Sequence, residues 1–433
     1  MTGPTVIYVA SLEPESGKSL VSFGAMEVAA TASGRVGYFR PVIAKSPERD
    51  RVIEMMRSRF RLAQDYEESY GVTTEDTRGL GESVDPALVH AILAKFEVLA
   101  RSCDVVVVEG TDYTGASAAF EFALNSEIAA HLGASCVIVA RAHAHRPDQL
   151  GGVLSAASSS LAERHVPIVG FVVNRVPADE LEEFRARVDT RTDAPIWFMV
   201  EEPALGHVTM GDLAAELGAE VIAGDAEAMT RDIHRIVVAA MTLPHLMRRL
   251  EPHALLVTPG DRADVILMAE AAQFSSGYPP IAGLLLTGGY RPDDEVLRLT
   301  HGLGESSLPI LLTERDTYET VDLVSRARGS LESGDERRLA TGLRLFEDSV
   351  DFDNLVERVR STRSSTVTPV MFERQLMTRA REDRRRIVLP EGDDDRILIA
   401  ADRLLRRDVV SLVILGNPEE IIDRAHGLGL DLS

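Results

Sequence analysis

The segment TVIYVASLEPESGKSLVS, residues 5–22, contains a short apolar run, a polar loop and then the start of a helical pattern. β-Branched residues dominate the first six positions, which favours a buried strand, and Gly17 lies where the loop meets the helix. Strand, loop and helix in this order place backbone N–H groups and the positive end of a helix dipole where they can bind phosphate. The segment therefore predicts a phosphate-binding loop (P-loop).

Three consecutive residues carry the chemistry of this loop. Gly17 permits close approach of the backbone to a phosphate, Lys18 supplies a point charge, and the Ser19 hydroxyl is placed for a magnesium ion. The usual pattern G-x-x-x-x-G-K-[ST] has a further glycine where this chain has Leu12. Two interpretations therefore stay open: the loop binds a nucleotide, or it keeps the geometry without the ligand.

A second apolar run, DVVVVEG at residues 104–110, supports the same architecture. A continuous apolar run is typical of a central parallel strand, and Glu109 lies at its carboxyl end. A carboxylate at this place is suited to a metal ion beside the phosphates. The alternative is that Glu109 only caps the loop that follows.

Other polar residues follow predicted strands and could line the same crevice. A charge at Arg40 would suit a phosphate, and the Asn174 amide could recognise a base edge. For each of them a solvated or backbone-bonded loop residue explains the pattern equally well. His143 and His145 form an H-x-H pair, but no third ligand lies near them in the sequence, so we do not expect a metal there.

The composition narrows the classes of protein and partner. The chain has 433 residues, which predicts roughly two to four domains. Its 46 basic and 68 acidic residues give a net charge of −22, which argues against a nucleic-acid or anionic-membrane partner. Cys103 and Cys136 lie in or beside apolar runs and predict buried free thiols. No apolar run approaches about 18 residues, and we expect a cytoplasmic protein.

The order of strand-like and helical patterns predicts the domains. Residues 1–200 alternate between the two, which predicts an α/β fold with a P-loop-type doubly wound parallel sheet. We expect a second α/β domain at 201–330, a helical linker at 331–370 and the start of a third α/β domain at 371–433. The last segment has about two βα units, too few strands to bury a core. The third domain is therefore expected to be incomplete.

In the motifs of all three predicted domains, the chain resembles the N-terminal part of long-form phosphate acetyltransferases. The first domain resembles dethiobiotin synthetase in the motifs SLEPESGKS, YFRP, VVVVEG and GFVVNRV. The second resembles a DRTGG domain in VVAAMTLPH, TPGDRADV and LLLTGGYRP. The third resembles the entry to a phosphate acetyl/butyryl transferase domain in TPVMFERQLMTRAREDRRRIVLPEGDDDRILIAA. The resemblance covers almost the whole chain.

The resemblance implies the reversible reaction of acetyl-CoA with phosphate to give acetyl phosphate and CoA, with no metal or nucleotide in the transfer itself. In the family the catalytic residues lie mostly in the third domain, so they are expected beyond Ser433 and none is assigned here. The chain is then mainly regulatory and inactive alone. The family also implies a small-molecule effector and a homo-oligomer.

The resemblance of the first domain to dethiobiotin synthetase implies a Mg-nucleotide site. It places Lys18 and Ser19 at the phosphate and magnesium positions, Glu109 at a metal carboxylate and Asn174 at the base. Arg40 stands where those synthetases usually have a lysine, which puts ligase chemistry in doubt. Two alternatives accompany the acetyltransferase hypothesis: a nucleotide- or metabolite-sensing P-loop protein, and an ATP-dependent ligase of the dethiobiotin synthetase type.

Overall fold

A computed structural model describes residues 3–46, 49–76, 86–111, 118–189, 193–302, 308–327, 329, 336–362 and 368–432. The predicted helical linker at 331–370 is therefore described for residues 336–362 and from residue 368. Its first five residues and the polar segment 363–367 lie outside the described residues.

The first unit is built on a seven-stranded sheet. Its elements are β1 (Thr5–Ser11), α1 (Lys18–Ala32), β2 (Val36–Ile43), α2 (Arg51–Arg59), β3 (Tyr70–Thr73), α3 (Pro86–Ala100), β4 (Val105–Glu109), α4 (Ala118–Leu132), β5 (Ser135–Arg141), α5 (Pro147–Glu163), β6 (Ile168–Val176), α6 (Leu181–Arg187) and β7 (Ile196–Val200). The strand order is β3-β2-β4-β1-β5-β6-β7 and every pairing is parallel. The predicted P-loop-type parallel sheet is confirmed. The sequence patterns did not predict β3 and α2, because a four-residue strand and a charged nine-residue helix leave weak signals.

Both faces of this sheet are buried. Successive side chains of β1 point to opposite faces, so Ile7 and Val9 belong to one apolar cluster while Tyr8 belongs to the other. The continuous apolar runs of β1 and β4 follow from this two-sided burial. The arrangement brings the carboxyl ends of β1, β2, β4 and β6 to one edge, where the candidate site lies.

The second unit is also α/β. Its elements are α7 (Pro203–Gly206), β8 (Val208–Thr209), α8 (Met210–Leu217), β9 (Glu220–Ala223), β10 (Asp232–Ile233), β11 (Arg235–Val238), α9 (Leu243–Met247), β12 (Ala254–Pro259), α10 (Ala263–Gln273), β13 (Gly283–Thr287), α11 (Asp294–Gly302), β14 (Ile310–Leu312) and α12 (Thr317–Arg326). The sheet order is β11-β12-β13-β14-β9, in which the β14–β9 pairing is antiparallel and the others are parallel. A separate two-stranded antiparallel ribbon joins β8 and β10.

Two helices after the second unit return to the first. These are α13 (Glu336–Ser349) and α14 (Phe352–Ser361), and their apolar residues Phe346, Val350 and Leu355 share a core cluster with Ile7 and Val9. The segment predicted as a linker therefore covers one face of the first sheet. An amphipathic pattern predicts that a helix has an apolar face, but not which surface that face will meet.

The last elements form a small α/β segment. They are α15 (Pro369–Glu382), β15 (Arg386–Leu389), α16 (Asp395–Arg406), β16 (Ser411–Ile414) and α17 (Pro418–Gly427), with β15 and β16 paired in parallel. Val388 and Leu415 are each about half exposed. Among the described helices of the whole chain, none has the length and apolar character needed to cross a membrane.

The contact between α13 and α1 gives a testable prediction. A Cβ added at Gly24 in α1 would lie 2.4 Å from the buried ring of Phe346. We expect Gly24→Ala to lower the free energy of unfolding by about 1–3 kcal/mol, because the overlap forces a shift in a packed core. The measurement is urea unfolding of the full chain.

A double variant and a control separate this overlap from helix propensity. In a Phe346→Ala background, Gly24→Ala should become neutral or stabilising, since alanine favours a helix over glycine by about 1 kcal/mol. Gly152 in α5 has no atom within 4 Å of an added Cβ, so Gly152→Ala should not destabilise. Equal effects of Gly24→Ala and Gly152→Ala would contradict the prediction.

Candidate functional site

The loop that the sequence predicts to bind phosphate joins β1 to α1 and is held by a side chain of β6. Gly17 caps α1 with a φ of 79°, a left-handed conformation that favours glycine. A Cβ at Gly17 would lie 2.2 Å from the Asn174 amide nitrogen. That nitrogen donates a hydrogen bond of 2.8 Å to the Ser16 carbonyl. The loop therefore requires glycine here both for its backbone angle and for the close approach of Asn174.

This geometry gives Asn174 a structural contact in addition to the base recognition proposed from the sequence. The residue is 4% exposed, and its side-chain oxygen accepts from the Arg175 N–H at 2.8 Å. Lys18, the next predicted residue, begins α1 and is 3% exposed. Lys18 and Asn174 are therefore both buried at the N-terminal end of α1.

Glu109 joins three elements of the first unit. Its carboxylate is fully buried and accepts hydrogen bonds from the Ser19 hydroxyl at 2.9 Å and the Tyr38 hydroxyl at 2.7 Å. Ser19 is in the first turn of α1, Tyr38 is in β2 and Glu109 ends β4. The predicted pair of a P-loop hydroxyl and a carboxylate at the end of a neighbouring strand is therefore brought into direct contact.

Arg40 supplies positive charge to this buried carboxylate. One guanidinium nitrogen lies 3.7 Å from Glu109 Oε1, and the other forms an ion pair with Asp50. Asp50 in turn caps α2 by accepting from the Ile53 N–H at 3.1 Å. A buried carboxylate is stable only when it is paired with a positive charge and hydrogen-bonded. Arg40 supplies the positive charge.

The residues have the donor chemistry of a magnesium site, with one conflict. Hydroxyl and carboxylate oxygens are the ligands that Mg²⁺ prefers. However, Ser19 and Arg40 are both directed at Oε1 of Glu109. A magnesium ion that used this oxygen would compete with the guanidinium 3.7 Å away, since two cations near one oxygen repel each other.

The histidine pair after β5 does not converge on one point. The His143 imidazole contacts Glu201 at 2.8 Å, whereas the His145 imidazole contacts Glu13. Each ring is therefore paired with its own carboxylate.

The sequence patterns missed a different cluster in the second unit. His207, Asp232 and His234 offer ligand atoms that all lie within 4.8 Å of one another. The signal was present in two pairs of polar residues spaced two apart, His207 with Thr209 and Asp232 with His234, in and directly beside two short strands. Two-residue strands are too short for this alternation to stand out.

Three family models match the chain in sequence order. The AAA domain matches residues 5–223, the DRTGG domain matches 212–327 and the phosphate acetyl/butaryl transferase family matches 371–433. The first of these covers half of the chain.

Curated relatives match nearly the whole chain. The phosphate acetyltransferase of Nitratidesulfovibrio vulgaris is 36% identical over 98% of this chain, and that of Synechocystis is 32% identical over 99%. The phosphate acetyltransferase of Pseudomonas aeruginosa is 27% identical over 96%. The chain spans 62%, 62% and 61% of the lengths of these proteins, respectively. The resemblance to long-form phosphate acetyltransferases is confirmed.

The buried Tyr38–Glu109 contact predicts a pH dependence of stability. Burial, and then the charge of Glu109, raise the pKa of Tyr38 well above its usual value. Above about pH 10 the unfolded chain loses this phenolic proton while the folded chain keeps it, so the free energy of unfolding falls as pH rises. The fall contributed by Tyr38 should approach about 1.4 kcal/mol per pH unit.

The comparison of Tyr38→Phe with Tyr318→Phe tests this assignment by urea unfolding between about pH 8 and pH 11. Tyr38→Phe should cost about 1–3 kcal/mol at neutral pH, because Glu109 loses a donor, and should show a shallower fall at high pH. Tyr318 is 86% exposed, so Tyr318→Phe should follow the unchanged chain. Parallel pH curves for all three proteins would contradict the assignment.

Proposed function

The chain belongs to the AAA domain family, whose model matches residues 5–223, and we propose that it forms the mainly regulatory N-terminal part of a phosphate acetyltransferase. This proposal rests on the relatives of that name, which are 27–36% identical to this chain and match 96–99% of its length. The match of residues 371–433 to the transferase family supports it. The proposed reaction is the reversible transfer of an acetyl group between CoA and phosphate. Its substrates are acetyl-CoA with phosphate in one direction and acetyl phosphate with CoA in the other.

We further propose that these 433 residues do not carry out the transfer alone. Acyl transfer requires a base that activates the thiol and positive groups that hold the phosphate and the developing oxyanion. Residues 371–433 are the part of this chain that matches the transferase family. They contain two paired strands, and Val388 and Leu415 are each about half exposed. Two strands are too few to form an independent core, and a cleft needs such a core to hold its groups in place. We therefore assign no catalytic residue.

For the first unit we propose a phosphate-bearing effector at the loop formed by Gly17, Lys18 and Ser19. The left-handed Gly17, the start of α1 and the contact of Ser19 with Glu109 favour this role. Nucleotide sensing is thus the second candidate function. Ligase chemistry is not proposed, because Arg40 occupies the lysine position and its guanidinium is paired with Asp50.

The remaining proposals concern the setting in which the protein acts. Cys103 and Cys136 are free thiols, and burial raises the pKa of both. Free thiols suit the reducing cytoplasm, where acetyl-CoA metabolism would place this protein. We also propose a homo-oligomer, in line with the family resemblance.

The activity proposal is tested by following acetyl-CoA formation from acetyl phosphate and CoA. The purified 433-residue chain should give no rate above buffer, while the Nitratidesulfovibrio vulgaris relative serves as a positive control for the assay. Circular dichroism must show that the chain is folded. Turnover by the folded chain at a rate similar to that of the relative would contradict the proposal that the transfer needs further residues.

The effector proposal is tested by ATP binding with and without Mg²⁺, measured calorimetrically. We expect binding that Lys18→Ala abolishes, because the loop loses the charge placed for the outer phosphates. The control is Lys45→Ala, which removes a lysine with a side chain that is 57% exposed and paired with Glu75. No binding at millimolar ATP, or equal loss in both variants, would refute nucleotide sensing at this loop.

A further inference from the structure

Three side chains that could ligate a metal ion, those of His207, Asp232 and His234, lie in or directly beside the ribbon formed by β8 and β10. Its antiparallel register pairs Asp232 with Thr209 and Ile233 with Val208. Continuing this register by one residue places His234 directly opposite His207, where cross-strand side chains are neighbours. Asp232 precedes His234, the residue directly after β10, by two positions, and residues two apart in an extended chain share a face. The convergence of these three side chains thus follows from strand geometry.

The distances agree with this register. Ligand atoms of His207, Asp232 and His234 all lie within 4.8 Å of one another. The His207 and His234 rings have centroids 4.1 Å apart and are inclined by 38°. In a tetrahedral site with ligand bonds of about 2.1 Å, neighbouring ligand atoms lie about 3.4 Å apart. Side-chain adjustments of about 1 Å would therefore bring the three atoms onto one ion.

We propose that His207, Asp232 and His234 bind a divalent transition-metal ion, with zinc as the first choice. Two imidazole nitrogens and one carboxylate oxygen form a ligand set that suits zinc and related imidazole-binding metals, whereas Mg²⁺ and Ca²⁺ prefer oxygen ligands alone. Three protein ligands leave at least one coordination position for water or for an exogenous ligand.

A second layer of contacts fixes the carboxylate. Arg338 of α13 donates to Asp232 Oδ1 at 2.9 Å and to Asp212 Oδ2 at 3.2 Å, and it also donates to the His207 carbonyl. With one oxygen held by the guanidinium, Asp232 can present its other oxygen to a metal. Ligating carboxylates are commonly hydrogen-bonded in this way, and such contacts orient them.

A cavity beside Asp232 is lined by both basic and acidic side chains, which act in opposite directions on a bound cation. Asp232 and His253 line a cavity of about 470 Å³, and the His253 ring stacks on His234 at 4.3 Å between centroids. Arg231 and Arg337 also line this cavity and oppose a bound cation, whereas Asp225 and Glu227 favour it. Of the three proposed ligands, Asp232 lines this cavity.

The test is titration of the full metal-free chain with Zn²⁺, followed by calorimetry, and with Co²⁺, followed by its visible absorption. We expect one strong site per chain whose Co²⁺ spectrum shows nitrogen ligands, and which Mg²⁺ in large excess does not displace. His234→Ala should weaken Zn²⁺ binding by more than about 100-fold, since loss of an outer-shell partner alone costs about 10–100-fold. His234 is exposed, so this variant should fold normally.

His245→Ala is the matched control, because it removes an exposed imidazole outside the cluster. It should leave the affinity of the strong site unchanged, and His207→Gln should repeat the loss seen with His234→Ala. The proposal is overturned if the chain binds no Zn²⁺, or if His234→Ala and His207→Gln bind it as tightly as the unchanged chain. It is also overturned if His245→Ala causes the same loss.

Discussion

The structure of the first unit depends on the neutralisation of one buried carboxylate. Glu109 is fully buried at the end of β4, in a place where an unpaired charge would cost several kcal/mol. Hydroxyl groups from α1 and β2 and the Arg40 guanidinium meet this cost. Because Arg40 also binds Asp50 at the start of α2, the same charge network ties α1, β2, β4 and α2 together. The loop that precedes α1 is therefore positioned by electrostatics as well as by packing.

The sequence was sufficient for those parts of the site that are encoded locally. A strand, a loop with Gly17 and a helix follow one another directly, so this local structure could be predicted from one short segment, while the binding roles of its residues stay a prediction. The contact of Ser19 with Glu109 followed from the rule that parallel strands bring their carboxyl ends to one edge. The pairing of Arg40 with Asp50 could not be predicted, since Asp50 caps α2, a helix that the sequence patterns did not indicate. The same holds for the amide of Asn174, whose contact with the Ser16 carbonyl spans 158 residues.

The cluster in the second unit shows a different limit of sequence patterns. His207 lies 25 residues before Asp232, and the two strands whose pairing brings them together contain two residues each. Metal-ligand motifs are recognised from sequence when the ligands share a helix, a knuckle or a loop with fixed spacing. Here the spacing is set by an antiparallel register, and a change of one residue in that register would turn a ligand to the opposite face. Only the folded ribbon brings the three side chains together.

Helix α13 connects the two sites physically. Near its start Arg338 binds Asp232, and eight residues later Phe346 packs on Gly24 of α1, about 12 Å further along the helix. A helix of this length is stiff, so a displacement at Arg338 would be felt at the face of α1. Contact alone does not produce coupling, because a ligand shifts an equilibrium only when it binds two arrangements with different affinity. A metal ion on Asp232 would meet this condition if it weakened or strengthened the ion pair between Arg338 and Asp232, because both cations would bind the same carboxylate. The ion pair between Arg338 and Asp232 is therefore one contact through which a metal ion in the second unit would act on the first unit.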